Sequence, residues 1–496
     1  MPVRSPPIDP ERAIDAATRL RDAGEGERAV ALLRDALHRH ARNPRLWQTL
    51  GTVHRALEQS DAAVAAFAEA ARLSPADVKA HYGVAQATLE AGRPALAAFE
   101  RLHAMAPGDG SILLGRCAAQ LAAGQGAAAI ATLDTIVAAN PLWYEGQATL
   151  ARLRWMAGDT GGFAAGYRRA LAADPRQSGL WIALIDVLTQ VERFAEAQAA
   201  VADARTAIGD DRVLQAYAAQ CAAELGEIAA ADAGFATLAD WSDVGIVEQH
   251  ARHLLRAGRP YAAAARIAPL LGDAQAGRLW PYASLAWRLI DDPRAAWLEG
   301  DPALIGVHDL GLSDGDLTAL ADRLRALHVA ANDPLGQSVR GGTQTDGPLF
   351  AHAAPEIQAL RAGLVAAVAA HVATLGPADS THPTRRHVGK RFRFAGSWSV
   401  RLTGAGHHSN HIHPQGWLSS ACYIALPSQA EMGPEPAGWL QLGQPPASLN
   451  VDLPPYRRIA PRPGRLVLFP STMWHGTEPI AGGERLSVAF DVAAIS

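Results

Sequence analysis

Residues 44–75 read PRLWQTLGTVHRALEQSDAAVAAFAEAARLSP, an alanine-rich stretch whose apolar residues are spaced as on a helix. A proline begins the stretch and another ends it, and proline interrupts helices because it lacks an amide hydrogen. Prolines recur at intervals of 31, 32, 34 and 34 residues, at Pro44, Pro75, Pro107, Pro141 and Pro175. A period close to 34 residues predicts a stack of helix pairs in which each pair contacts its neighbours.

The segment that begins at Pro44 resembles the tetratricopeptide repeat. It carries three motif residues on each of its two predicted helices: Trp47, Leu50, Gly51, Ala63, Phe67 and Ala70. The small residues let the helices approach, and Trp47 and Phe67 are expected to fill the groove between them in one cluster. Later copies are looser, and about seven pairs are predicted over residues 11–271. The resemblance implies a right-handed superhelix whose concave face binds a peptide or a partner protein.

The composition is that of an ordinary globular protein, with 49% hydrophobic and 19% charged residues among 496. This length exceeds one hydrophobic core and predicts two or three domains. The net charge, 45 − 49 = −4, gives no general attraction to nucleic acid or to an anionic membrane. Residues 1–20 lack the apolar core of a signal peptide, and no apolar run of about 18 residues is evident, so no membrane span is expected. Three widely spaced cysteines fit a reducing compartment, and a cytoplasmic location is expected.

The pattern changes after Ser313, which can cap a helix. Residues 341–347 are glycine-rich and are expected to form a loop, and residues 357–375 predict another helix. Short apolar or alternating runs then predict strands at 392–394, 397–402, 419–426, 465–469 and 485–492. Helices followed by short strands predict a jelly roll, a double-stranded β-helix, with flanking helices. The predicted chain is α+β and multidomain, with an α-solenoid at 11–271, a helical linker at 272–334 and a jelly roll at 335–496.

Several short motifs follow one another in this last part of the chain. They are His411-Ile412-His413-Pro414, Ser419-Ser420-Ala421-Cys422-Tyr423, Phe469-Pro470-Ser471, His475 and Arg485-Leu486-Ser487. Their order resembles the 2-oxoglutarate/iron(II) oxygenases of the prolyl-hydroxylase type, most closely a bacterial and phage branch. In that family a His-x-Asp pair and a distal histidine bind iron, and an Arg-x-Ser pair binds the far carboxylate of 2-oxoglutarate. The resemblance implies iron(II) and 2-oxoglutarate, with the metal ligands His411, His413 and His475.

Elementary chemistry is consistent with this assignment. Residues two apart on a strand face the same way, so His411 and His413 could hold one metal together with His475. Three such ligands leave three positions, of which a keto acid takes two and dioxygen one. An arginine offers a forked guanidinium for the other carboxylate, and a hydroxyl can add a further hydrogen bond. The residues expected to bind 2-oxoglutarate are Arg485, Ser487 and, less directly, Tyr423.

The histidine at position 413 departs from the family, which has aspartate there. His407 or His408 could be the ligand instead, or Asp491 or Glu478 could supply a carboxylate. A zinc site of three histidines is a further alternative, because zinc and iron share imidazole ligands.

These features favour an Fe(II)- and 2-oxoglutarate-dependent dioxygenase, a hydroxylase, whose repeats recruit a protein, a peptide or another substrate. Neither nucleic acid nor a membrane is an expected partner. The alternative is a tetratricopeptide scaffold with a degenerate oxygenase-like domain, of which His413 would be the sign. Intact Arg485 and Ser487 favour the enzyme, because an inactive domain needs no keto-acid anchor.

Overall fold

Eight consecutive helix pairs form the N-terminal part of the protein. The structure is a computed structural model that describes residues 9–495, so the first eight residues of the segment inspected for a signal peptide lie outside it. The two helices of each pair contact each other, as the α-solenoid prediction requires, and there is one pair more than about seven. The helices are α1 (Pro10–Asp22), α2 (Gly26–Arg39), α3 (Pro44–Ala56), α4 (Ser60–Leu73), α5 (Val78–Glu90), α6 (Leu96–Met105), α7 (Gly110–Ala122), α8 (Gly126–Ala139), α9 (Tyr144–Met156), α10 (Ala165–Ala173), α11 (Ser178–Gln190), α12 (Phe194–Ile208), α13 (Arg212–Glu224), α14 (Ile228–Thr237), α15 (Val244–Arg256) and α16 (Pro260–Ile267).

The first helix of most pairs begins at an Asp or Asn cap. The side chains that accept backbone N–H groups there are Asp9, Asn43, Asp77, Asp109, Asp211 and Asp243. Pro44 stands one residue after its cap, whereas Pro75 stands two residues before the next one. The first proline interval is therefore 31 residues although the caps Asn43 and Asp77 are 34 residues apart. The caps, more regularly than the prolines, mark the repeat.

The expectation that Trp47 and Phe67 share one cluster is wrong. The Phe67 ring lies against Gly51 and Gly83, and neither glycine could carry a Cβ without displacing it. Trp47 packs about one helical turn away, against Ala70, Ala71 and Ala80. Because α3 and α4 run antiparallel, a residue four positions before Gly51 meets α4 near its C-terminal end. The small residues still allow the close approach that was predicted.

The C-terminal part contains two antiparallel sheets. The strands are β1 (Gly306–Asp309), β2 (Val339–Gln344), β3 (Phe392–His408), β4 (Leu418–Ala425), β5 (Leu440–Leu442), β6 (Arg457–Ile459), β7 (Arg465–Pro470), β8 (His475–Thr477) and β9 (Glu484–Ala494). The large sheet has the order β1-β7-β4-β9-β3-β2, and the small sheet has the order β6-β5-β8. Five helices accompany them: α17 (Trp280–Leu289), α18 (Arg294–Glu299), α19 (Asp314–Arg325), α20 (Pro355–Thr374) and α21 (Gln429–Met432).

Helices cover one face of the large sheet and the small sheet covers the other. On the helical face, Leu324 of α19 and Leu364 of α20 share a core with Val488 and Phe490 of β9. On the opposite face, residues of β5 pack against β4 and β7, through Leu440, Leu442, Tyr423 and Phe469. This layering is α+β. Since side chains alternate along a strand, the odd-numbered residues of β9 from 485 to 491 face the small sheet.

Two local predictions have opposite outcomes. Ser313 caps α19 in a reciprocal capping box with Asp316, which confirms the predicted helix start. The predicted loop at 341–347 is wrong, because β2 extends to Gln344 and pairs with β3. Gly341, at φ +67°, forms a bulge in β2, and pairing with the long strand β3 outweighs the low strand propensity of the glycines.

The helix α20 is long and apolar enough to cross a membrane by length and composition alone, which the sequence analysis did not anticipate. Its residues Ile357, Leu360, Leu364 and Val368 are nevertheless buried in the core beside the large sheet. The helix therefore packs in the way that a core helix of a globular domain does.

The turns within the helix pairs contact the C-terminal part at several points along the solenoid. The contacts include the ion pairs Glu58–Arg361 (3.2 Å) and Glu192–Arg340 (3.4 Å), the backbone bond from Ala353 N–H to the Ala91 carbonyl (3.1 Å), and the bond from Arg252 to Ser448 (2.8 Å). The domain boundary at residue 335 stays a prediction. The strand β1 and the helix α19, which precede it, belong to the sheet layering described above.

Acid is expected to destabilise the C-terminal part through His371 of α20, which is 1% exposed. Burial, reinforced by the neighbouring His308, lowers the pKa of His371 from 6.5 to about 4. The unfolded chain thus binds a proton below pH 6.5 that the folded chain binds only below about pH 4, so stability falls as the pH drops through this window. At pH 5 the loss is about 2 kcal/mol. In thermal unfolding, His371→Gln should lose less stability than the unmodified protein between pH 7 and pH 5, and an equal loss in both would contradict this role.

Candidate metal centre

Three histidines converge between the two sheets. The ligand nitrogens of His411, His413 and His475 all lie within 4.8 Å of one another, and their ring centres are 4.1 to 5.1 Å apart. The expectation that His411 and His413 lie on a strand is wrong, because they occupy the connection between β3 and β4. This connection is nevertheless anchored at alternate residues, since His411 exchanges backbone bonds with His475 (2.9 and 3.0 Å) and His413 N–H donates to the Ser471 carbonyl (2.9 Å). These bonds place both rings on the same side, as a strand would.

Each of the three rings is fixed through its Nδ1 atom. Nδ1 donates to the Ser409 carbonyl from His411 (2.8 Å), to the Met473 carbonyl from His475 (3.0 Å) and to the Asp491 carboxylate from His413 (2.7 Å). A histidine whose Nδ1 donates a hydrogen bond carries its proton there, which leaves the Nε2 lone pair free. This is the arrangement of metal-binding histidines, whose second nitrogen is held by a carbonyl or a carboxylate.

Asp491 lies behind His413 and does not take its place in the cluster. Its carboxylate also accepts from the Ser419 hydroxyl (2.6 Å), which lies 2.9 Å from the hydroxyl of Ser471. The other carboxylate considered from the sequence, Glu478, forms an ion pair with Arg458 at 3.7 Å. The structure therefore brings three imidazoles together and uses the aspartate to orient one of them.

His408 and His407 have different surroundings from these three. The His408 ring centre is 6.0 Å from that of His411, and both rings border the same cavity, whereas His407 does not border it. Burial, followed by the charge of neighbouring histidines, lowers the pKa of His411 to about 3 and those of His408 and His475 well below the usual value. His411 and His475 are thus neutral at physiological pH, as metal binding requires.

Arg485 is deeply buried, at 2% exposure, without an acidic partner among residues 9–495. Its Nη1 donates to the Gly438 carbonyl (3.1 Å), but its Nε has no acceptor. The guanidinium lies over the Tyr423 ring, 4.9 Å from its centre, and the buried Tyr423 hydroxyl also lacks a partner. Burial lowers the pKa of Arg485. Buried donors without acceptors are costly, so this pair of residues fits an added carboxylate.

One cavity of about 280 Å³ joins the histidines to Arg485. Ser487 and Ala489 border it between Arg485 and the histidines, because alternate residues of β9 face the small sheet. Tyr423, which pairs with Ser487 in the register of β4 and β9, lies behind the guanidinium and does not border the cavity. Three neutral imidazoles at one end and an unpaired cation at the other fit a divalent metal and a small dicarboxylate.

Two contributors escaped the sequence analysis. Asp491 was weighed as a ligand and not as the residue that orients His413, although its position six residues after Arg485 on the same strand face indicated that it faces the site. Ser338 borders the cavity with its hydroxyl 3.2 Å from His411 Nε2, and nothing in its local sequence indicated this.

Comparisons with known proteins agree with both halves of this architecture. Residues 396–491, which include the three histidines, Arg485 and Ser487, match the family model described as "Putative 2OG-Fe(II) oxygenase", and residues 94–153 match a tetratricopeptide-repeat model. No curated protein matches the chain.

Several solved structures are similar to parts of the chain. A tetratricopeptide repeat protein from Parabacteroides merdae is 19% identical and covers 48% of this chain and 96% of its own, with a TM-score of 0.31. A prolyl-4-hydroxylase from Pseudomonas putida is 18% identical and covers 41% of this chain and 96% of its own, with a TM-score of 0.27. The chain thus contains a tetratricopeptide-repeat region and, at its C-terminal end, a domain of the 2OG-Fe(II) oxygenase family.

Proposed function

We propose that this protein is an Fe(II)- and 2-oxoglutarate-dependent dioxygenase that hydroxylates a substrate recruited by its helical repeats. The observation that carries the proposal is Arg485, a buried guanidinium without an acidic partner in the same cavity as three convergent histidines. A buried arginine with a purely structural role is normally paired, because an unpaired buried charge is strongly destabilising. A zinc site would use the same imidazoles but gives no reason for the unpaired Arg485.

The residues of the cavity divide the work between metal and keto acid. His411, His413 and His475 would hold iron(II), which with bound 2-oxoglutarate supplies oxidising power as the keto acid is decarboxylated to succinate. Arg485 would bind the carboxylate remote from the metal through its fork of N–H donors, and Ser487 would add a hydroxyl. The side chains of Trp398, Leu440 and Phe469 border the cavity and reduce the access of water.

We further propose that the repeats bind a protein or peptide, because a stack of helix pairs offers an extended concave surface. A cytoplasmic location is also a proposal. It is consistent with Cys117, Cys221 and Cys422, which are all buried and unpaired.

The full-length protein, loaded anaerobically with iron(II), should bind about one iron per chain through its three imidazoles. On exposure to air with 2-oxoglutarate it should form succinate slowly even without its substrate, which mass spectrometry would measure. His475→Ala, which removes a ligand nitrogen, is the control and should abolish both. Iron binding without any succinate would instead support the degenerate scaffold, and the absence of iron binding would refute the metal centre.

A further inference from the structure

Residues 331–340, which we call the strap, run from the solenoid to β2 and form one wall of the cavity. Gly336, Gln337 and Ser338 of the strap border the cavity directly. The strap is therefore a part of the site that the repeats can reach.

The fifth and sixth helix pairs hold the first half of the strap. The Met156 carbonyl, at the end of α9, accepts the N–H groups of Ala331 (2.9 Å) and Asn332 (3.2 Å). The Trp155 indole N–H donates to the Asp333 carbonyl (2.9 Å). Leu335 then packs into the hydrophobic cluster built from α10, α11 and α12. These contacts fix the strap by backbone bonds and by one apolar anchor.

The turn of the sixth pair holds the end of the strap. In six of the eight turns within helix pairs, the residue with positive φ is glycine, but it is glutamate at Glu58 and Glu192. A residue with a side chain is strained in that conformation. Both glutamates pair with an arginine of the C-terminal part, Glu192 with Arg340 of the strap and Glu58 with Arg361, which is far from the strap in sequence. At these two turns the contact with the other domain accompanies the strain.

At its other end the strap holds His411 from two sides. The Ser338 hydroxyl lies 3.2 Å from His411 Nε2 and 3.3 Å from His408 Nδ1. The Ser338 carbonyl accepts the N–H of Ser409 (2.9 Å), and the Ser409 carbonyl in turn accepts Nδ1–H of His411 (2.8 Å). Displacement of the strap would release both nitrogens of the His411 ring.

We propose that the fifth and sixth helix pairs position His411 through the strap, so that the repeats form part of the site in addition to recruiting a substrate. The inference rests on the proposed function, because it takes His411 as a metal ligand. Trp155 and Ser338 are positioning residues in this account. Contacts that orient a metal-binding histidine typically contribute 10- to 100-fold to metal affinity.

The test is a titration of the metal-free, full-length protein with Co²⁺ under anaerobic conditions, which needs no turnover. Trp155→Phe removes the hydrogen bond to the strap and keeps an aromatic ring against Phe163. It should raise the Kd for Co²⁺ about tenfold and speed amide hydrogen exchange in the strap. The matched control is Trp181→Phe, since Trp181 lies in the same cluster but its indole donates to the Pro175 carbonyl (2.8 Å) of its own repeat. Trp181→Phe should leave the Kd unchanged, and an equal rise in both variants would overturn the proposal.

A second pair of variants serves if Trp155→Phe does not fold. Glu192→Gly and Glu58→Gly both place at the turn the residue that the other six turns use, and each removes one ion pair to the C-terminal part. Glu192→Gly alone should weaken Co²⁺ binding, by roughly two- to threefold because the pair is exposed. Equal Kd values in the two variants would overturn the role of the strap. His411→Ala separates the two proposals. If it leaves Co²⁺ binding intact, the proposed metal centre fails, whereas if it abolishes binding while the strap variants have no effect, only the strap inference fails.

Discussion

Arg485→Ala should raise the 2-oxoglutarate concentration needed for half-maximal succinate formation by about a hundredfold or more. The reason is that Arg485 is buried and unpaired, so a bound carboxylate would gain its charge and its hydrogen bonds in a site without competing water. Removing one partner of such a pair costs about 2–5 kcal/mol, and each 1.4 kcal/mol is about tenfold in affinity. Succinate formation against 2-oxoglutarate concentration measures the effect, and an unchanged requirement would refute the role.

Two controls separate binding from folding. Arg401→Ala removes an arginine of the neighbouring strand β3, which pairs with Glu484 and does not border the cavity, and it should not change the requirement for 2-oxoglutarate. Arg485→Ala itself should not lower the melting temperature of the metal-free protein, because the charge that it removes is desolvated and has no acidic partner among residues 9–495. Added 2-oxoglutarate should raise the melting temperature of the iron-loaded unmodified protein but not that of the variant.

His413→Ala should reduce iron binding by about a hundredfold or more, because it removes one of three ligand nitrogens and leaves the Asp491 carboxylate without its partner. Metal content after anaerobic loading and dialysis measures the loss. The control is His407→Ala, which should keep its iron since His407 does not border the cavity. Equal metal content in the two alanine variants would remove His413 from the ligand set.

Restoring the aspartate that the oxygenase family has at this position should require two changes. In His413→Asp the new carboxylate would face Asp491, whose oxygens now lie 2.7 and 2.8 Å from the His413 ring nitrogen. Two carboxylates so close repel each other, and one of them would be protonated or displaced. His413→Asp combined with Asp491→Asn should therefore bind more iron than His413→Asp alone. The opposite order would show that Asp491 does not act through the residue at position 413.

The sequence by itself determined the two architectures and most of the chemistry of the site. The 34-residue spacing and the Asp and Asn caps are local signals, since each cap satisfies backbone N–H groups of its own helix, and they were sufficient for the solenoid. The motifs around His411, His413, His475 and Arg485 were sufficient for the list of candidate residues, because each motif is short and its residue types have distinctive chemistry.

Only the tertiary structure decided how these residues are connected. Whether Asp491 is a ligand or the support of His413 depends on the packing of β9 beside β4 and the β3–β4 connection, and this is set by sheet pairing between residues 78 positions apart. The unpaired state of Arg485 and the contact between Ser338 and His411 likewise depend on groups that are distant in sequence. Local sequence encodes helix starts and ligand types because those interactions act within a few residues. It cannot encode which buried donor lacks an acceptor, because that depends on every chain segment packed around the donor.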